Sequence, residues 1–255
     1  MKKKTLIAVL AVILAVVLTG CTNWVQAFYS KSHLMRIAKE ALHEKYGGEY
    51  EVRRIYSDHW SQFYATVATV DEEEIIFTAA ILKSGKIYKD DYLENILGKQ
   101  AKDILYPKMN AMWPDAYVKC KVIFNRNYKD EIGNNYKSVT LKQLIETEGT
   151  KGNLLVDLFI PQSEEKRHSI EEEYDFWAND IGDMIKEGIV PGISLGAWIV
   201  EDNQMSEVED FYETTEDKIT FIKNKFGDTS FHFGYDDETL TIMSTFEEYR
   251  GQRDK

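Results

Sequence analysis

The residue best placed to do chemistry in this chain is a serine. Gly192-Ile193-Ser194-Leu195-Gly196 has the G-x-S-x-G spacing of a nucleophile elbow, and Asp210 and His232 follow it in the order serine, acid, imidazole. Such a set would run acyl transfer: the imidazole takes the hydroxyl proton and the serine attacks a carbonyl. An elbow needs a strand before the serine and a helix after it, so that Oγ stands on a strained turn. Here the apolar spacing gives the reverse: a helix over 170–187, a loop holding Pro191, then a strand at Ile193–Val200. No HGG-type oxyanion segment lies upstream. Two glycines easing a loop into a strand are the plainer account of the pattern.

Other reactive residues give weaker patterns. Ser57-Asp58-His59 sets three triad-type residues side by side, but a relay needs groups converging from separated positions, so a turn between strands is the expectation. His33 and His43 share a helix ten residues apart, about 15 Å along its axis, too far to ligate one metal. There is no H-E-x-x-H; His168 falls near a helix cap and His232 in a strand. No catalytic, cofactor-binding or metal-ligating residue is assigned. Glu201–Asp217 has eight acidic residues in 17 and no basic one. It lacks the D-x-[DN]-x-[DN]-G spacing that wraps carboxylates round Ca²⁺, so a solvated acidic face is expected there. Cys120 sits on the apolar side of an alternating strand and is expected to be inert core. Trp177 and Trp198 read as core, while Trp60 and Trp113 fall at element ends and read as the exposed pair.

The first twenty-one residues carry a more specific signal. Met1-Lys2-Lys3-Lys4 is followed by 13 apolar residues, Leu6 to Leu18. As a helix that run spans roughly 20 Å, short of the ~30 Å hydrocarbon core, so it fits the apolar region of a signal peptide better than a membrane span. It ends in Leu18-Thr19-Gly20-Cys21, which closely resembles the lipobox of bacterial lipoproteins. The resemblance implies a diacylglyceryl group on the Cys21 thiol and cleavage after Gly20. It makes 1–20 a signal peptide and 21–30 a lipidated tether on the outer side of a cell membrane. An uncleaved signal anchor is the alternative, since no charge occurs from Thr5 to Ser30. Cleavage would leave 28 Lys and Arg against 43 Asp and Glu, a formal charge of −15. Anionic lipids would repel such a body over about a Debye length of ~8 Å. Trp24, Phe28 and Tyr29 mark a short tether, partly packed on the domain or the interface.

The elements that follow read as α+β, with mainly antiparallel sheets packed by amphipathic helices in two small lobes. Residues 31–126 form the first lobe: a helix Lys31–Tyr46, strands Tyr50–Tyr56, Phe63–Val70 and Ile75–Leu82, a helix from Asp91 that Pro107 ends or kinks, and a strand Tyr117–Phe124. Asp91 with Glu94 has the spacing of a capping box. Asn125–Ser138 is polar and turn-rich and reads as the boundary. Residues 139–250 form the second lobe. There Thr140/Gln143 and Ser169/Glu172 cap helices, Leu154–Ile160 and Ile193–Val200 are strands, and Thr215–Phe226 is a helix. A hairpin, Phe231–Tyr235 with Leu240–Thr245, closes it. In residues 31–90 the helix-then-meander layout, with Ile81-Leu82-Lys83-Ser84-Gly85-Lys86-Ile87 as its last hairpin, resembles PepSY-type and cystatin-like envelope modules.

Composition removes several classes of function. The chain has 255 residues, 44% hydrophobic and 29% charged, as a folded protein has, and two cysteines cannot make a disulfide framework. A formal charge of −12 argues against nucleic acid, whose phosphates need clustered cations. The expected function is a lipid-anchored, extracytoplasmic, non-enzymatic module that binds an envelope protein or peptide and holds the membrane through the lipid on Cys21. A small envelope serine hydrolase using Ser194 and His232 is one alternative. A solute-binding lipoprotein is another, although the chain is short for two α/β lobes and a hinge.

Overall fold

The computed structural model describes residues 29–59, 61–70, 75–124, 138–147, 153–208, 231–234 and 245–253. Cys21, Trp60, the acidic turn 71–74, the boundary 125–137, most of the acidic segment and the helix expected at 215–226 lie outside them.

The first layer begins where expected. Helix α1, Lys31–Tyr46, starts because the Ser30 hydroxyl accepts the His33 N–H, and stops at Gly47, whose φ of 65° suits a residue without Cβ. Its stripe Leu34, Ile37, Ala38, Ala41 and Leu42 is buried. Strands β1 (Tyr50–His59), β2 (Gln62–Thr69), β3 (Ile76–Leu82) and β4 (Ile87–Asp90) follow as an antiparallel meander in that order. β4 is not among the strands expected from the sequence. Four residues after a tight turn at Gly85 (φ 88°) are too few for alternation to be visible, and the strand is held by its pairing with β3. α1 covers one face, where Phe63, Ala65, Val67, Phe77 and Ile81 form a core with Tyr50 and Tyr92.

Helix α2, Tyr92–Met112, leaves that core at Tyr92 and enters a second one through Leu93, Leu97, Ala101, Leu105 and Met109. Pro107 does not end it: the helix runs five residues further, because Pro107 is exposed while Leu105, Met109 and Trp113 hold the last turns on the core. Asp91 does not close a capping box. Its carboxylate instead accepts the Thr78 N–H from β3 at 2.6 Å and pairs with Lys121 of β5. β5, Tyr117–Ile123, is the first strand of a second sheet, ordered β5-β6-β7-β8, with β6 at Asn153–Pro161, β7 at Gly192–Val200 and β8 at Phe231–Gly234. Residues 93–124, grouped on sequence with the first lobe, therefore pack with the second core; strand pairing and the apolar stripe of α2 decide this.

The second sheet is mixed. β5/β6 and β7/β8 are antiparallel, but β6 and β7 run parallel, so the connection between them is a strand–helix–strand crossover. That crossover holds α4 (Ile170–Asp175), a π-helical turn Phe176–Ile181 and α5 (Gly182–Lys186). The wide turn brings Phe176, Trp177 and Ile181 together into the core, where Trp113 packs edge-on to Phe176 and parallel to Trp177. Trp113, expected at the surface from its place at an element end, is only 1% exposed. The short α3, Leu141–Glu146, and α4 both start with full capping boxes, as the Thr140/Gln143 and Ser169/Glu172 spacings require. A last helix α6, Phe246–Arg253, is not among the elements expected from the sequence. Thr245 and Glu248 carry its box, the hydroxyl accepting the Glu248 N–H and the carboxylate the Thr245 N–H at 2.8 Å. The architecture is α+β.

Candidate functional site

A concave surface lined by two tyrosines lies where α2 meets the start of β5. Ala101 and Leu105 face inward, so Lys102 and Tyr106, one turn apart, share a face off the core. The turn after Trp113 reverses the chain, and β5 runs back beside α2 with Tyr117 at its start. The Lys102 ammonium lies 5.8 Å from the Tyr106 ring centre and 5.6 Å from that of Tyr117, within cation–π range of both. Asp103, Pro107, Asp115, Met205 and Ser206 complete a groove of about 600 Å³.

Strand register sets an aromatic row behind its Tyr117 wall. Tyr117 pairs with Phe159, and Phe159 with Trp198, so three aromatics occupy one row across β5, β6 and β7. Phe159 and Trp198 are stacked at 5.0 Å. Gly196 makes room for the indole, because a Cβ there would come within 2.8 Å of the Trp198 ring. Val208 and Met205 close over the row. Trp198 is buried, as expected, but on this outer side of the sheet and not in the main core. Alternation had assigned these three aromatics to strands one at a time; their alignment depends on register, which the sequence does not print. The groove offers adaptable apolar contact from Met205 and Tyr106 and one cation held between rings. It suits an apolar or aromatic side chain with a carbonyl within reach of the Lys102 ammonium.

The reactive residues singled out on sequence fall elsewhere. Ser194 is inside β7, not on a strand-to-helix turn, and its Oγ accepts from Asn153 Nδ2 at 2.9 Å. His232 is opposite Gly196 in the β7–β8 register. Asp210 is outside the described residues. Ser57, Asp58 and His59 are the last residues of β1, a strand end and not a free turn. His33 Nδ1 accepts from Arg36, and His43 Nδ1 donates to the Gly48 carbonyl at 2.8 Å. Among the described residues no three His, Cys, Asp or Glu side chains are grouped to hold a metal ion. In the described part of the acidic segment, the Asp202 carboxylate accepts the Ser163 N–H and hydroxyl, which ties it to the end of β6.

Cys120 is buried in the second core, as its alternation required, and burial pushes its thiol up to about 12. At neutral pH it is all thiol, and the thiolate is the form that reacts. Iodoacetamide should leave Cys120 unmodified in the folded protein and label it once the protein is unfolded, read by intact mass. Labelling of the folded chain at the rate of a free thiol would contradict this burial.

No family model matches the chain, and no curated protein matches it in sequence. Among solved structures it is similar to a DUF5037 family protein from Ruminococcus gnavus, with 17% identity and a TM-score of 0.66 over 87% of this chain and 99% of that one. At that identity the likeness establishes a shared fold and carries no activity with it.

Proposed function

We propose that the chain is a lipid-anchored, extracytoplasmic module that binds an envelope protein or peptide without acting on it chemically. The observation that carries the address is the run Leu18-Thr19-Gly20-Cys21 after a leader too short to span a bilayer. It is supported by the position of Tyr29, which is eight residues after Cys21 and packs on the first core. Fully extended, those residues reach at most about 28 Å, so the lobe hangs close to the bilayer. Among the described residues no helix is long and apolar enough to cross a membrane. Binding is supported by the groove at Lys102, Tyr106 and Tyr117, which combines apolar rings with one cation as peptide-recognising surfaces do.

Cys21→Ser tests the address. Membrane association and processing should both be lost, read by fractionation and by the mass of the mature N-terminus. Unchanged attachment and maturation would overturn the anchor. The groove is tested by a photo-crosslinking side chain at position 106 in living cells. It should capture a discrete envelope partner that the same group at exposed Lys89, on the first sheet, does not, and Tyr117→Ala should abolish the capture. Identical capture from both positions would overturn the groove assignment.

A further inference from the structure

The first sheet has two unlike ends. β1 runs towards one end and β2 away from it, and the 83–86 turn between β3 and β4 lies at the same end, since Lys83 donates its N–H to the Ser61 carbonyl. The start of α1 is there too, because the Lys83 ammonium sits 4.9 Å from the ring centre of Tyr29. This end carries Lys31, Arg36, Lys83 and Lys86. Against them stand Glu40, already paired with Arg36 at 2.8 Å, and Asp58 in the last residues of β1. Lys45 and Asp90 pair at the opposite end, from which α2 leads to the second sheet.

A body with an excess of carboxylates thus turns a cationic end towards the residues that lead to Cys21. Charge complementarity and the position of Tyr29 select one occupant for it. We propose that the Lys31/Lys83/Lys86 end of the first sheet docks on the anionic headgroup surface of the bilayer that holds the lipid anchor. This rests on the anchor reading and refines the stand-off expected from net charge: within a Debye length of the surface the field acts mainly on the near, cationic end, so the protein is oriented. Headgroup attraction falls off within a Debye length, and the short tether keeps the cations close to that range.

The test uses the full lipidated chain in vesicles of phosphatidylcholine alone or mixed with phosphatidylglycerol. Flotation reports the anchor; acetylation of single lysines, read by peptide mass, reports docking. The chain should float with both vesicles. Lys31, Lys83 and Lys86 should be acetylated about fivefold more slowly on the phosphatidylglycerol vesicles only, with exposed Lys166 unchanged. Concentrated NaCl should remove the difference. Lys83→Glu with Lys86→Glu, on an exposed turn, should keep flotation and lose the protection of Lys31. Flotation with equal acetylation on both vesicles would overturn the docking and leave the anchor intact. A chain that floats with neither would overturn the anchor reading and, with it, this one.

Discussion

Gly98→Ala is expected to be among the most damaging single-methyl changes in the protein, although alanine is the better helix former. Gly98 lies mid-way along the buried face of α2, where the helix crosses β5. A Cβ there would sit on the Cys120 carbonyl and within 2.8 Å of that carbonyl carbon and of Lys121 Cα. All three are backbone atoms of a strand fixed by its pairing to β6, so no rotamer change relieves the clash. The helix must lift from the sheet, and Leu97, Ala101 and Leu105 must lift with it. The helix-propensity gain is about 0.5–1 kcal/mol, while overpacking costs about 3 kcal/mol or more, so the clash wins. The net loss of about 2–2.5 kcal/mol should lower Tm by roughly 4–10 °C. Gly251→Ala supplies the control. A Cβ at Gly251, in α6, meets nothing within 4 Å, so the same methyl should be neutral or slightly stabilising. Thermal unfolding by circular dichroism compares the two. A Gly98→Ala protein as stable as the parent would mean that α2 does not approach β5 this closely.

That contact also shows which parts of the structure were legible in advance. The stripe of α1, the alternation of β5 and the Thr140/Gln143 and Ser169/Glu172 capping boxes are local, and each stands where its residues place it. The fault lines were non-local. Asp91 has a capping residue's identity, yet its carboxylate is taken by Thr78 and Lys121 from two different sheets. Trp113 follows a helix end and looked exposed, but the chain turns there so that the indole enters the aromatic cluster of the π turn. Strand β4 is too short to show a period. The parallel pairing of β6 with β7 follows from the path of the crossover and not from either strand's composition. α6 is a different case, because Thr245-Phe246-Glu247-Glu248 is a readable box that an expected hairpin strand obscured.

The candidate sites divide in the same way. Cys120 was legible because burial of one strand face is periodic. Ser194 was legible as a misfit, because the order of elements around it was already wrong for an elbow. The groove was not legible, since Lys102, Tyr106, Tyr117 and Met205 come from three elements and meet only through register and the reversal after Trp113. The cationic end of the first sheet was hidden by the net charge: one number for the whole chain cannot show that α1 and the 83–86 turn bring like charges to one place.

The docking of α6 should be the other large effect, and it depends on one buried charge. Glu173 of α4 is 1% exposed. Its carboxylate accepts from Arg253 Nε at 2.8 Å, from Arg253 Nη2 at 3.1 Å and from the Tyr249 hydroxyl at 3.0 Å, so each oxygen has a donor. Arg253 also donates to the Glu165 carbonyl. Arg253→Met removes the fork and strands a buried carboxylate, which should cost about 3–5 kcal/mol and release the C-terminal helix to proteolysis. Glu173→Leu strands the guanidinium at similar cost. The double variant leaves no unpaired charge and should recover much of either loss, so a double-mutant cycle should give a coupling of about 2 kcal/mol or more. Tyr249 adds a pH dependence. Burial, and then the Glu173 charge, hold its phenol well above its ordinary value of 10.0, so the folded state keeps a proton that the unfolded chain gives up. This contribution is complete below pH 10.0 and is lost as the pH rises above it, by about 1.4 kcal/mol per pH unit until the folded phenol ionises. Urea unfolding across that range should show the fall in the parent and a shallower one in Tyr249→Phe. Single variants that cost no more than a surface ion pair, about 0–1 kcal/mol, would mean that α6 is not held through Glu173.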